Sequence, residues 1–194
     1  SGGRGDTRYY LGIGRQYTQG FSATSTPTQL DKDGYRATDI NTNLQTKLGE
    51  RVSLGLAYLR SQSKTAYDNE WSINPQPVTE QVLSSVAADL KVDWNSAWSS
   101  QLKLAQGRDA MQDVDGTNRF DSKQNQASLF STYQQSGWRI AFGGDYLDQR
   151  LDSTTAYDEG RRTRGAGFLQ VGYSGAGQSV QAGLRRDDDS QFGG

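Results

Sequence analysis

Between Thr38 and Leu48 the chain changes character at every step. Ile40, Thr42, Leu44, Thr46 and Leu48 alternate with Asp39, Asn41, Asn43, Gln45 and Lys47. A strand sends successive side chains to opposite faces, so this segment carries one greasy and one strongly hydrophilic face. A helix scatters both sets around its circumference. The period of two therefore fixes a strand, and it returns along the whole chain.

Val52, Leu54, Leu56 and Tyr58 repeat the pattern, as do Val86, Ala88, Leu90 and Val92. Trp98 to Leu104, Ala127 to Tyr133, Trp138 to Tyr146, Gly167 to Tyr173 and Val180 to Leu184 follow, with Phe130 and Phe168 blurring two of them. Together with Tyr9, Leu11 and Ile13, these runs predict nine strands. Short links are expected at Gly49-Glu50, around Asn95-Ser96, at Ser136-Gly137 and at Ser174 to Gln178. Long polar links are expected over Gln19 to Gly34, Gln62 to Thr79, Gly107 to Lys123 and Gln149 to Arg162. No second domain or low-complexity linker interrupts the series.

Periodicity does not say which face is inside. A soluble up-and-down barrel or sandwich turns its apolar set inward and has the same period. Two features favour a membrane barrel. The polar faces mix ionic residues with glycine and alanine, which suits a crowded or water-filled lumen. Trp98, Tyr133, Trp138 and Tyr173 cluster beside the short turns, where barrels carry their aromatic girdles. Short turns at one end and long loops at the other fit periplasmic and extracellular ends. The expected fold is all-β: a segment of an antiparallel up-and-down transmembrane β-barrel of about nine strands, in one domain over residues 1–194. Nine is an odd count for a closed meander and leaves open edges, so a slice of a larger barrel is expected.

Composition narrows the chemistry. The 194 residues include no histidine and no cysteine, which excludes a thiol nucleophile, a thiolate metal site and a Ser-His-Asp triad. No phosphate-binding GxxxxGK[ST] loop occurs. The net charge of -1 argues against a nucleic-acid partner. No apolar run approaches the ~20 residues of a transmembrane helix. The expectation is a non-enzyme with no catalytic residues.

The loop acids point to a hard cation. Asp31, Asp33 and Gly34 form an Asp-x-Asp-Gly turn, and Asp113, Asp115, Gly116 and Asp121 form a second. Calcium takes six to eight oxygens, although the same spacing is also ordinary turn chemistry. Arg4-Gly5-Asp6 spells an integrin-type tripeptide but sits in a glycine-rich turn. Arg161, Arg162 and Arg164 either attract an anionic group or balance Asp158 and Glu159. Lys91, Arg139, Arg185, Asp89, Asp93 and Asp145 fall on the polar face, where a cross-strand ladder or contact with an internal plug is expected.

Three segments in order carry a resemblance. These are Leu30-Asp31-Lys32-Asp33-Gly34-Tyr35, Thr65-Ala66-Tyr67-Asp68-Asn69, and Leu184 to Gly193 with its Arg185-Arg186-Asp187-Asp188-Asp189 run. The arrangement resembles the TonB-dependent outer-membrane receptors, most of all the vitamin B12 (cobalamin) transporter group, over essentially the whole chain. The resemblance implies a slice of a 22-stranded barrel in the bacterial outer membrane, closed by a plug domain and driven by TonB. Neither plug nor TonB box lies in these residues. It further implies a cobalamin-like ligand, contact with outer-membrane lipid and lipopolysaccharide, and Ca2+ in the extracellular loops. The calcium ligands carried over are Asp31, Asp33, the Tyr67 backbone and Asp68; the family's further aspartates are replaced by Ser22 and, late in the second loop, by Glu80. A siderophore receptor, or a truncated or engineered barrel acting as a passive pore or scaffold, is the competing expectation.

Overall fold

The structure, a computed structural model, describes residues 1–22, 31–69, 76–116 and 118–193. It contains ten strands: β1 (Gly2–Arg4), β2 (Thr7–Thr18), β3 (Tyr35–Lys47), β4 (Val52–Ala66), β5 (Val78–Asp93), β6 (Trp98–Asp113), β7 (Arg119–Gln135), β8 (Trp138–Ser153), β9 (Arg161–Gly175) and β10 (Gln178–Asp189). They form one sheet in sequence order, each strand antiparallel to the next. The all-β meander is therefore as expected. The additional strand, β1, is three residues long, too short to show a period.

The alternation of links also holds. Ser136-Gly137 and Ala176-Gly177 make two-residue hairpins in which both residues have positive φ (51° and 83°, 52° and 76°). That is the turn whose twist matches the flanking strands. Asn95 shapes another short link, its Oδ1 accepting the N–H groups of Ala97 and Trp98 at 2.9 Å each. Gly5, with φ of 57°, places the Arg4-Gly5-Asp6 tripeptide in the β1–β2 turn.

The first long link, Gln19 to Gly34, has the expected bounds, whereas the other three are shorter than expected. Strands β6 and β7 run on to Asp113 and from Arg119, leaving only a five-residue connection where the sequence predicts a loop from Gly107 to Lys123. β4, β5, β8 and β9 are extended in the same way. Apolar alternation ends each strand too early. The hydrogen-bonded ladder continues past that point because charged cross-strand pairs replace apolar ones.

The sheet is a single layer without a core of its own. Among the described residues no large side chain is fully buried, and Ile13, Leu11 and Leu184 are 73%, 59% and 68% exposed. The register sorts the side chains onto two faces. One carries Ile13, Ile40, Leu56, Leu90, Leu104, Leu129, Phe142 and Leu169. The other carries Asp39, Asn41, Asp89, Lys103, Arg139, Asp145 and Arg185.

Candidate functional site

The loop carboxylates singled out in the sequence come to one corner. Tyr35 of β3 pairs with Thr18 on one side and Thr65 on the other, so the end of the first long link meets the start of the second. The Ala66 N–H donates to the Gly34 carbonyl at 2.9 Å, which sets Asp31 and Asp33 alongside Tyr67 and Asp68. A recess of about 360 Å3 opens here, between Tyr17, Lys32, Arg36 and Lys64. Among the described residues, no three acidic side chains are grouped closely enough to hold a metal ion. The register thus joins the two segments without gathering three of their acids into one group among the described residues. Glu80, which stands where the resemblance expects an aspartate, is paired with Lys64, and Ser22 lies just before the undescribed residues 23–30.

Tyr67 has a second role that sequence reading did not find. Its phenol is tied to Thr79 and Asp113, and its proton is held more tightly than in free tyrosine, first by burial and then by the charge of Asp113. Asp113 is almost enclosed; one oxygen accepts from Thr79 Oγ1 and the other from Asn118 Nδ2, both at 2.7 Å. The Tyr67 N–H donates to the Pro77 carbonyl at 3.1 Å. The second long link is therefore clamped to the β6–β7 turn.

The second aspartate turn does not gather its acids. Asp113 and Asp121 stand on opposite faces, and Asp121 takes a bidentate pair from Arg108 at 2.9 and 2.6 Å. Gly116, with φ of 77°, closes a turn on the Asp113 carbonyl. This is turn chemistry.

The arginine cluster is corrected as well. Arg161 donates to Asp148 at 2.9 Å, and Arg162 to Asp189 at 2.6 Å while lying over the Phe192 ring. Cross-strand partners, rather than the neighbouring Asp158 and Glu159, hold both. On the polar face Arg185 reaches Asp145 at 3.3 Å and Asp187 at 2.8 Å, and Lys91 pairs with Asp93 at 3.1 Å. Only the first of these is a rung between separate strands.

The apolar face ends in charge towards the long links. Above Ile13, Ile40 and Tyr58 on that face come Arg15, Arg36, Arg60 and Lys64, with Glu80 opposite Lys64. Arg108, Arg119 and Lys123 follow with Asp121. Arg150, Arg161 and Arg186 complete the series with Asp148, Asp152 and Asp188. Ten cations against five anions give this belt a charge of +5, in a chain of net charge -1. The signal was in the sequence: each cation keeps the parity of the apolar residues of its own strand.

The boundary between apolar and charged residues crosses the sheet obliquely. Ile13, Ile40, Arg60, Ser84, Arg108, Lys123, Arg150 and Arg161 form one hydrogen-bonded row. Ile13 and Ile40 are still apolar in it, yet by β8 the last apolar residue, Tyr146, lies four residues below. By β10 the last is Leu184, paired with Leu169, eight residues below Arg161 on β9. That is a fall of about 27 Å over about 38 Å of sheet, a slope of roughly 35°.

A single antiparallel meander with one such band and one polar face is the wall of an up-and-down β-barrel. Along its whole length the chain is similar to the vitamin B12 transporter BtuB of Photobacterium profundum, with 24% identity over 199 residues. The match covers 100% of this chain and 32% of that protein, so the chain spans about a third of its relative's length. The distant likeness agrees with the resemblance drawn from the three short segments. No protein-family model matches the chain.

Proposed function

We propose that this chain forms part of the wall of a bacterial outer-membrane β-barrel that takes up cobalamin or another corrinoid, driven through TonB. The observation that carries this reading is the oblique apolar band. Strands of membrane barrels tilt by about 35–45°, so a level bilayer cuts them along a slope of that size. On β8 the band runs from Trp138 to Tyr146, about 26 Å along the strand and so about 21 Å of height at a 35° tilt, comparable to the ~25 Å of an outer-membrane apolar belt. A soluble barrel has no reason to place an aromatic row at one border and a charged row at the other.

The corrinoid and the TonB coupling rest on the likeness to the BtuB protein. The work is binding and passage, with no bond made or broken. The long links form the outer mouth, and the ionic polar face lines the path. The plug domain is a part of the full-length protein, and TonB is its partner.

Calcium is part of the proposal. Its ligands are the carboxylates of Asp31, Asp33 and Asp68 and the Tyr67 carbonyl. Support comes from the Gly34–Ala66 hydrogen bond, which puts both segments at one corner. Calcium supplies a hard charge that several oxygens from separate segments satisfy together, so binding would draw those segments inward.

The full-length protein carrying this chain, placed in lipid bilayers, is expected to show strands inclined at about 35° by polarised infrared spectroscopy. It is also expected to bind cyanocobalamin. A monomer that stays dispersed without detergent ends the membrane reading. A ferric siderophore bound in place of the corrinoid changes the substrate.

A further inference from the structure

Two recesses lie one above the other on the band-bearing face of β4 to β8. The lower, of about 400 Å3, is lined on that face by Val86, Ala88, Leu104, Ala127 and Tyr146, with the hydrogen-bonded pair Gln106 and Asn125 at its upper edge. The upper, of about 290 Å3, is lined by Arg60, Glu80, Ser84, Arg108, Arg119 and Asp121 among others. Ser84 and Val86 are successive residues on this face of β5, and a single same-face residue, Gln106, separates Leu104 from Arg108 on β6. The two hollows are therefore neighbours across the border of the band. Both exist because small side chains, Ala88 and Ala127 below and Ser84 and Ala110 above, stand among long ones.

We propose that this double recess holds one lipopolysaccharide molecule, with a phosphate of its lipid A between Arg60, Arg108 and Arg119 and an acyl chain in the hollow beneath. The inference rests on the membrane reading above. Long links at this end make it the outer side, where the surrounding leaflet presents a phosphorylated glycolipid. Guanidinium groups match phosphate oxygens in pairs, and they bind best when already oriented. Asp121 fixes Arg108 through two hydrogen bonds, and Asp152 holds Arg119 at 2.7 Å. These anions orient the recess, and Glu80 on its wall is itself engaged by Lys64, so three guanidinium groups face the hollow against two carboxylates. The apolar hollow below has the form an acyl chain needs: open along the strands and free of charge.

The test uses the full-length protein in detergent, with purified lipid A and phosphatidylglycerol as probes and native mass spectrometry as the readout. One lipid A molecule per protein is expected to bind more tightly than phosphatidylglycerol. Arg60→Gln with Arg119→Gln is expected to weaken lipid A roughly thirtyfold, at about fivefold for each cation facing an anionic lipid. Ala127→Phe leaves every charge in place, fills the lower hollow, and is expected to weaken it as well. Unchanged affinity in both variants, or equal affinity for the two lipids, overturns the site. Infrared strand tilt separates the two claims: normal tilt with no lipid A preference removes only the lipid site, while failure to enter bilayers removes the barrel reading and this inference with it.

Discussion

Phe130 and Phe168 stack with ring centroids 5.9 Å apart, although Gly143 stands between them in the sheet. Both rings lie on the polar face, where they blur the alternation of their strands. They meet across β8 only because Gly143 offers no side chain. A Cβ there would collide with the Leu129 carbonyl oxygen and lie 2.9 Å from the Phe168 ring.

Gly143→Ala is therefore expected to destabilise the sheet by about 1–3 kcal/mol, as overpacking of a filled site does. The backbone oxygen is the nearer obstacle, so adding Phe168→Ala should not restore the loss. Chemical unfolding in detergent measures both. Full recovery in the double variant would place the obstruction in the ring alone.

Ser131 is 2% exposed and ties the aromatic row together. Its Oγ accepts from Trp98 Nε1 at 2.8 Å and shares a hydrogen bond with Ser100 Oγ, which in turn accepts from Trp94 Nε1. Ser131→Ala is expected to cost about 0.5–1.5 kcal/mol, the usual worth of a hydrogen bond lost from a buried site. Tryptophan fluorescence should shift with it. An unshifted spectrum and unchanged stability would show that the row stands without the hydroxyl.

Tyr67 sets an alkaline limit on the clamp of the second long link. Its ordinary value is 10.0, and burial followed by the Asp113 charge raises it. A raised value in the folded chain means that the neutral phenol is favoured there. Its contribution is complete below the ordinary value and is lost as pH climbs through the folded one. Hydrogen exchange over residues 67–77 should accelerate in that window. Tyr67→Phe lacks the titrating proton and should exchange faster at every pH, with no alkaline step.

Calcium at roughly millimolar concentration is expected to protect residues 19–34 and 67–77 from protease. Asp31→Asn together with Asp68→Asn should remove the protection while leaving the rest of the sheet intact. Identical cleavage in calcium and in chelator would retire the metal.

The fold was legible wherever the environment differs between the two faces. Ile40 to Leu48 and Val86 to Val92 announce their strands because lipid-like and water-like surroundings select opposite residues. The same rule fails above the band, where both faces meet water. Arg108, Lys123 and Asp148 therefore read as loop or strand end, although they lie in ladders as regular as those below. The corner of Asp31, Asp33, Tyr67 and Asp68 was reached through resemblance; the clamp of Tyr67 on Asp113 was not, because partners 46 residues apart leave no local pattern. Arg161 and Arg162 pair with distant acids for a similar reason. Sequence distance is a poor guide to spatial distance in a sheet, and the register puts Asp148 and Asp189 closer than Asp158 and Glu159.

The oblique band also fixes how the wall is wound. A slip of about one residue at each strand means that a closed barrel continuing this pattern has a shear number close to its number of strands, and its bore then widens with strand number alone. Asp89, Lys103, Asp145 and Asp187 share one hydrogen-bonded row of the polar face, through Ser128 and Ala166, and accordingly do not stack as a level ring around the bore of such a barrel. That row climbs the wall as a screw thread inclined by the same roughly 35°, so the charges of successive strands stand at successive depths.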